Sequence, residues 1–156
     1  MTSYSVRYKF SQHFAFPAET AYSWCTDYEP DDPARMGENG TRRIKRVNDD
    51  TLILTDTTLR ETGPVTRQRL VRLHPERLAW TSTHLTGPNK HSQFWYQIVK
   101  EGANKSRLDF TGLHVNYGRS PRPVRLKEIA HELAAADSHG WVLLEKEMRK
   151  DLRNQR

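Results

Sequence analysis

Between residues 39 and 116 the sequence alternates in short runs broken by turns of a few residues, and after residue 123 the alternation gives way to a repeat of three to four. That change of period constrains the fold more than any other feature. Runs joined by such short turns leave no room for crossover helices, so neighbours in sequence must pair antiparallel. An amphipathic helix that follows them buries its apolar stripe by lying across the sheet.

The runs cover residues 41–47, 51–60, 65–73, 77–85, 91–100 and 106–116. Between them stand Asn48-Asp49-Asp50, Gly63-Pro64, His74-Pro75-Glu76, Gly87-Pro88-Asn89 and Glu101-Gly102-Ala103-Asn104, all rich in turn residues. A seventh run precedes them over residues 4–16. Tyr4, Val6, Tyr8 and Phe10 share one face, Phe14 and Phe16 resume it, and Ser5, Arg7, Lys9 and Ser11 take the other. Pro17 suits the first turn of a helix over 17–26, where Glu19 favours the dipole and Ala21, Trp24 and Cys25 supply a buried stripe. Asp32 before Pro33 opens a second short helix through Met36, with Gly37 as its stop.

In the last segment Leu126, Ile129, Leu133, Ala136, Gly140, Leu144, Met148 and Leu152 form one helical stripe. Glu145 and Arg149 make a favourable i,i+4 pair. Residues 137–140, Asp-Ser-His-Gly, are expected to bend the helix. The stripe is bulky at both ends and small at Ala136 and Gly140, so its ends can seal while its middle leaves room. The expected fold class is α+β: a curved antiparallel sheet of about seven strands, two short helices after the first strand, and a long C-terminal helix over a cavity.

A chain of 156 residues without repeats fits a single domain over residues 1–156. Only 35% of residues are hydrophobic, yet aromatic residues at strand spacing argue against disorder. Cys25 stands alone, which excludes an internal disulfide and any multi-cysteine metal site and points to a reducing, cytoplasmic setting. The first ten residues alternate without a continuous apolar core, so no signal peptide is expected, and no apolar run is long enough for a membrane span.

The net charge of +6 admits an anionic partner or plain solubility. Basic residues spread from Arg7 to Arg156 without a nucleic-acid motif, so no specific nucleic acid is expected. Lys146, Arg149, Lys150, Arg153 and Arg156 could touch an anionic membrane surface weakly. They serve equally as the solvated, dipole-favoured end of a helix. Monomer and homodimer are both compatible with the sequence.

The order of elements, and three local segments, resemble the START/birch-allergen-like helix-grip superfamily, also described as polyketide cyclase/dehydratase-like. The segments are residues 14–27, where Pro17-Ala18-Glu19 opens the first helix and Thr26-Asp27 closes it, residues 74–80 (His-Pro-Glu-Arg-Leu-Ala-Trp) and residues 102–110 (Gly-Ala-Asn-Lys-Ser-Arg-Leu-Asp-Phe). The resemblance covers nearly the whole chain. It implies a deep apolar cavity between sheet and long helix, and ligands such as lipids, polyketides or sterols. It carries no catalytic residue over, because those differ between branches.

Alternation selects the residues that would face such a cavity. They are Phe94, Tyr96 and Ile98 on the sixth strand, Leu108, Phe110, Gly112 and His114 on the seventh, and Leu52, Leu54, Leu78 and Trp80 on the third and fifth. The helix adds Leu133, Ala136 and Gly140. Ordinary core packing is the competing reading for each. Gly112 either makes room on the inner face or marks a bulge.

His114 could act as a general acid or base or anchor a ligand, with Tyr96 as its partner, or could be a satisfied core histidine. Arg67 and Arg69 share a face with Val65, Val71 and Leu73. If inward they could clamp a carboxylate or phosphate, but the cost of two buried charges favours an outward, solvated placement.

No metal site is expected. The acidic loop Asp27, Glu29, Asp31 and Asp32 lacks EF-hand spacing, His131-Glu132 lacks the second zincin histidine, and His131 and His139 lie too far apart for one ion. Cys25 reads as a small core residue. No nucleophile elbow, phosphate loop or dinucleotide fingerprint is present, so no cofactor is expected. Three functions fit: a binding protein for a hydrophobic or amphipathic small molecule, a polyketide cyclase/aromatase or dehydratase-like enzyme, and a basic protein-interaction module.

Overall fold

In the computed structural model, which describes residues 2–153, the first strand and the last helix lie against each other and everything between them builds the sheet. The strands are β1 (Tyr4–Phe14), β2 (Gly40–Asn48), β3 (Thr51–Arg60), β4 (Gly63–His74), β5 (Ala79–His84), β6 (Gln93–Gly102) and β7 (Lys105–Asn116). The helices are α1 (Ala18–Thr26), α2 (Asp32–Arg35) and α3 (Pro123–Arg153). All neighbours pair antiparallel in the order β1-β7-β6-β5-β4-β3-β2. β1 and β2 therefore stand at opposite edges, and α1 and α2 carry the chain from one edge to the other.

Two strand starts fall later than the sequence reading placed them, each for a local reason. β5 begins at Ala79 because Pro75–Arg77 form a 3-10 turn and Leu78 then takes a left-handed φ of 52°. β6 begins at Gln93 because His84 and His91 close the preceding loop, with the His91 N–H donating to the His84 carbonyl at 2.8 Å. Residues 137–140, where a bend was expected, stay helical. α3 runs unbroken for 31 residues, and a glycine cost of about 1 kcal/mol is outweighed by the anchoring of α3 to the sheet through Asp137 and Trp141. The predicted Glu145–Arg149 pair forms at 2.8 Å. Arg156 lies outside the described residues.

The core is concentrated at one end. Phe14, Phe16, Ala18, Ala21 and Tyr22 from β1, α1 and the link between them meet Leu52, Leu54, Val71, Trp80, Ile98 and Leu108 from the sheet. Burying each large apolar side chain contributes roughly 1.5–3 kcal/mol. Met148 is the one described residue of α3 that is fully buried, and it sits in this cluster. Among the described residues no helix is long and apolar enough to cross a membrane.

Candidate functional site

Where α3 stands off the sheet, a cavity of about 1020 Å³ opens between the inner faces of the strands, α1, α2 and α3. Its deep wall follows from the register of β1 against β7. Tyr8 faces Gly112 directly across the pair. A Cβ at Gly112 would lie 2.6 Å from Cε1 of Tyr8, so the missing side chain is filled by the Tyr8 ring. Lying there, the ring presents its hydroxyl to α3, where it donates to Oδ2 of Asp137 at 2.5 Å.

Burial pushes the Asp137 carboxyl above the usual carboxylate range, against the opposing effects of the Tyr8 bond and the His114 charge. Burial also raises the Tyr8 phenol and, in His114, lowers the imidazole, while Asp137 favours the imidazolium. Tyr8 and Asp137 are thus bonded on the cavity wall, and His114 lines the same cavity.

The aromatic part is continuous. Trp80 and Tyr96 stack with centroids 4.7 Å apart and planes 2° from parallel. Trp141 from α3 leans on both, at 6.4 and 5.9 Å. Tyr96 meets Phe110 edge-on at 5.2 Å, and Phe110 continues to Phe94 at 5.9 Å. Such pairs contribute about 0.5–1.5 kcal/mol each beyond area burial and hold the wall in shape.

The opposite side is charged. Arg42, Asp56 and Arg67 stand side by side on β2, β3 and β4, and Arg69 pairs with His84 one rung further along. Asp56 accepts from Nε of Arg42 at 2.7 Å and from Nη2 of Arg69 at 3.2 Å. Asp32 at the start of α2 accepts from Arg42 at 3.1 Å. At the rim, Arg35 of α2 grips Glu147 and Asp151 of α3 at 2.8 and 2.7 Å, and Trp24 of α1 donates to Asp151 at 2.9 Å.

Of the positions singled out in the sequence, Trp80, Phe94, Tyr96, Phe110, His114, Leu133, Ala136 and Gly140 line this cavity. Leu54 and Ile98 do not; they are buried in the core at its closed end. Gly112 does not line it either, since Tyr8 occupies its space. Cys25 is partly buried, packs against the core and reaches the cavity wall, where burial raises its thiol. Asp27, Glu29 and Asp32 of the acidic loop stand at the rim, Asp31 is exposed, and His131 and His139 are exposed on α3.

The outward placement expected for Arg67 and Arg69 is corrected: both line the cavity. The cost that argued against it is offset for Arg69 by Asp56, and Arg67 keeps contact with water. The sequence reading also missed Tyr8, Asp137 and Trp141 as wall residues. A stripe drawn through apolar positions alone passes Asp137 by, although Leu133, Asp137, Trp141 and Leu144 follow one another at helical spacing.

No family model matches this sequence, and no curated protein matches it significantly. Solved structures do resemble it. The Zhui aromatase/cyclase from Streptomyces sp. R1128 aligns over 96% of both chains with a TM-score of 0.76 and 13% identity. A START superfamily protein from Mycobacterium smegmatis aligns over 92% of this chain and 97% of its own, with a TM-score of 0.69 and 19% identity. Truncated norcoclaurine synthase from Thalictrum flavum aligns over 94% of each, with a TM-score of 0.69 and 11% identity. At these identities the likeness shows the fold alone, a helix-grip fold that these structures share.

Proposed function

We propose that this helix-grip chain binds a hydrophobic or amphipathic small molecule between the sheet and α3. The observation that carries the reading is the cavity of about 1020 Å³, walled on one side by Trp80, Tyr96, Phe94, Phe110 and Trp141 and bordered on the other by charged side chains. Protein interiors normally close to crystal-like density, and pockets of roughly 300–1,000 Å³ are the size that takes small organic ligands. The aromatic wall suits a planar or polyketide-like body. Native mass spectrometry after gentle purification tests the reading, with a retained apolar ligand as the expected result. A folded chain with no adduct and no enhancement of a dye such as 1-anilinonaphthalene-8-sulfonate would overturn it.

A second reading, a polyketide cyclase/aromatase or dehydratase-like enzyme, is favoured by His114 lining the same cavity as the bonded Asp137 and Tyr8. Ring closure with loss of water needs one group to take a proton from carbon and another to deliver a proton to the departing hydroxyl. His114, kept neutral by burial, is suited to the first task. Asp137, whose carboxyl holds its proton to higher pH than usual, is suited to the second. The fold of the Zhui aromatase/cyclase supports the comparison. The expected result is that His114→Gln loses turnover of an aromatic precursor while still binding it; equal turnover by both proteins would remove this reading.

A further inference from the structure

Among the described residues the charged side of the cavity carries two guanidinium groups without an ion-pair partner, Arg60 and Arg67, and Arg67 is the one that stands beside the Asp56 pairs. Three guanidinium groups, Arg42, Arg67 and Arg69, share a site with two carboxylates, Asp32 and Asp56. Both oxygens of Asp56 are taken. Oδ1 accepts from Arg42, and Oδ2 accepts from Arg42 and Arg69. Oδ2 of Asp32 accepts from Arg42 and from the Glu29 backbone N–H. Among the described residues nothing pairs with Arg67, although it stands directly beside Asp56 in the sheet register.

The Arg69 and Arg67 charges act on a partly buried neighbour. His84, cross-strand from Arg69 and packed on Phe94 at 5.0 Å, has its basicity pushed down to about 4 by burial together with the Arg69 and Arg67 charges. The acids Asp27, Glu29, Glu38 and Asp137 also border the cavity, but none of them pairs with Arg67: the first three are exposed, as Arg67 is, where water and salt screen charge within about 8–10 Å, and Asp137 is bonded to Tyr8. The guanidinium fork matches the planar, two-oxygen face of a carboxylate and also grips phosphate.

We infer that Arg67, presented by the Arg42–Asp56–Arg69 network, seats the anionic head of the ligand, so that the bound molecule is an amphipathic acid with its apolar body along the aromatic wall. Asp56 acts here as a positioning residue: by occupying Arg42 and Arg69 it fixes the site while leaving Arg67 to the ligand. This inference rests on the binding function proposed above.

The test is a fluorescence titration with 9-anthracenecarboxylic acid and its neutral methyl ester, against the wild-type chain, Arg67→Gln and Arg67→Lys. In the wild type the acid is expected to bind at least about tenfold tighter than the ester. The preference should fall to within about threefold in Arg67→Gln and be partly kept in Arg67→Lys. Melting curves of the variants check that each is folded. Dodecanoic acid and dodecyl phosphate as competitors identify the head: whichever displaces the probe better names it, and displacement by neither overturns the anion seat. Equal affinity for acid and ester in the wild type, or the same preference in Arg67→Gln, overturns the inference while leaving the cavity reading intact. If neither anthracene probe binds, the binding function fails and the inference with it.

Discussion

Tyr8 on the first strand donates its hydroxyl to the Asp137 carboxylate on the last helix, at 2.5 Å and across 129 residues of sequence. The bond exists because Gly112, opposite Tyr8, has no side chain to hold the ring away. It sets α3 at a distance that leaves space beside it.

Gly112→Ala is therefore expected to destabilise the protein by about 1–3 kcal/mol, the usual cost of overpacking, and to shift the Tyr8 ring. Urea denaturation measures the loss, and the near-ultraviolet circular dichroism of the tyrosine band should change with it. A variant as stable as wild type would show that the ring does not depend on this gap.

Asp137 predicts a pH dependence. Burial raises its folded value above the ordinary 3.8, so the folded state keeps the proton to higher pH than the unfolded state. Ionised Asp137 then costs stability above the folded value, and the cost disappears as pH falls below 3.8. Asp137→Asn, which can still accept from Tyr8, is expected to be more stable than wild type near neutral pH, with the gain shrinking toward acid. Urea midpoints at several pH values check it; a gain independent of pH would contradict the assignment.

The fold could be read from sequence because its determinants are periodic. Alternation from Tyr4 onward and the helical repeat from Leu126 onward each repeat often enough to outweigh local exceptions. The aromatic wall was legible for the same reason, as Trp80, Tyr96 and Phe110 lie on the inner phase of their strands. Charged wall residues were not. Asp137, Arg67 and Arg69 obey the same periodicity, but a single charged residue on an inner face is stable only if a distant partner or water meets it. Tyr8 and Asp56 are those partners for Asp137 and Arg69, and no local pattern announces either. Ile98 and Leu54 are on the inner phase too, yet lie where α1 and Met148 close the core.

His84 predicts acid sensitivity of the opposite origin. Its folded value of about 4 lies below the ordinary 6.5, so the unfolded chain takes up a proton that the folded chain refuses. The stability due to neutral His84 is present above 6.5 and lost as pH falls toward 4. His84→Gln should lose less stability than wild type over that range. Parallel acid profiles for the two proteins would contradict it.

Arg35 ties α2 to Glu147 and Asp151 on α3 at the cavity rim. These are partly exposed pairs, so Arg35→Ala should cost only about 1 kcal/mol in low salt and much less in 1 M salt, where the screening length is about 3 Å. Thermal melts at two ionic strengths measure it, and a loss unaffected by salt would mean that Arg35 acts through packing.

The most direct measurement fills the cavity from the α3 side. Gly140 lines it, and a Cβ added there meets no atom within 4 Å. Gly140→Phe should fold, gaining up to about 0.5 kcal/mol of helix propensity over glycine, and place its ring where the ligand would lie. Titration with 1-anilinonaphthalene-8-sulfonate is expected to show binding to the wild-type chain and affinity at least about tenfold weaker in Gly140→Phe. Equal dye affinity in a folded Gly140→Phe variant would contradict a binding site between the sheet and α3.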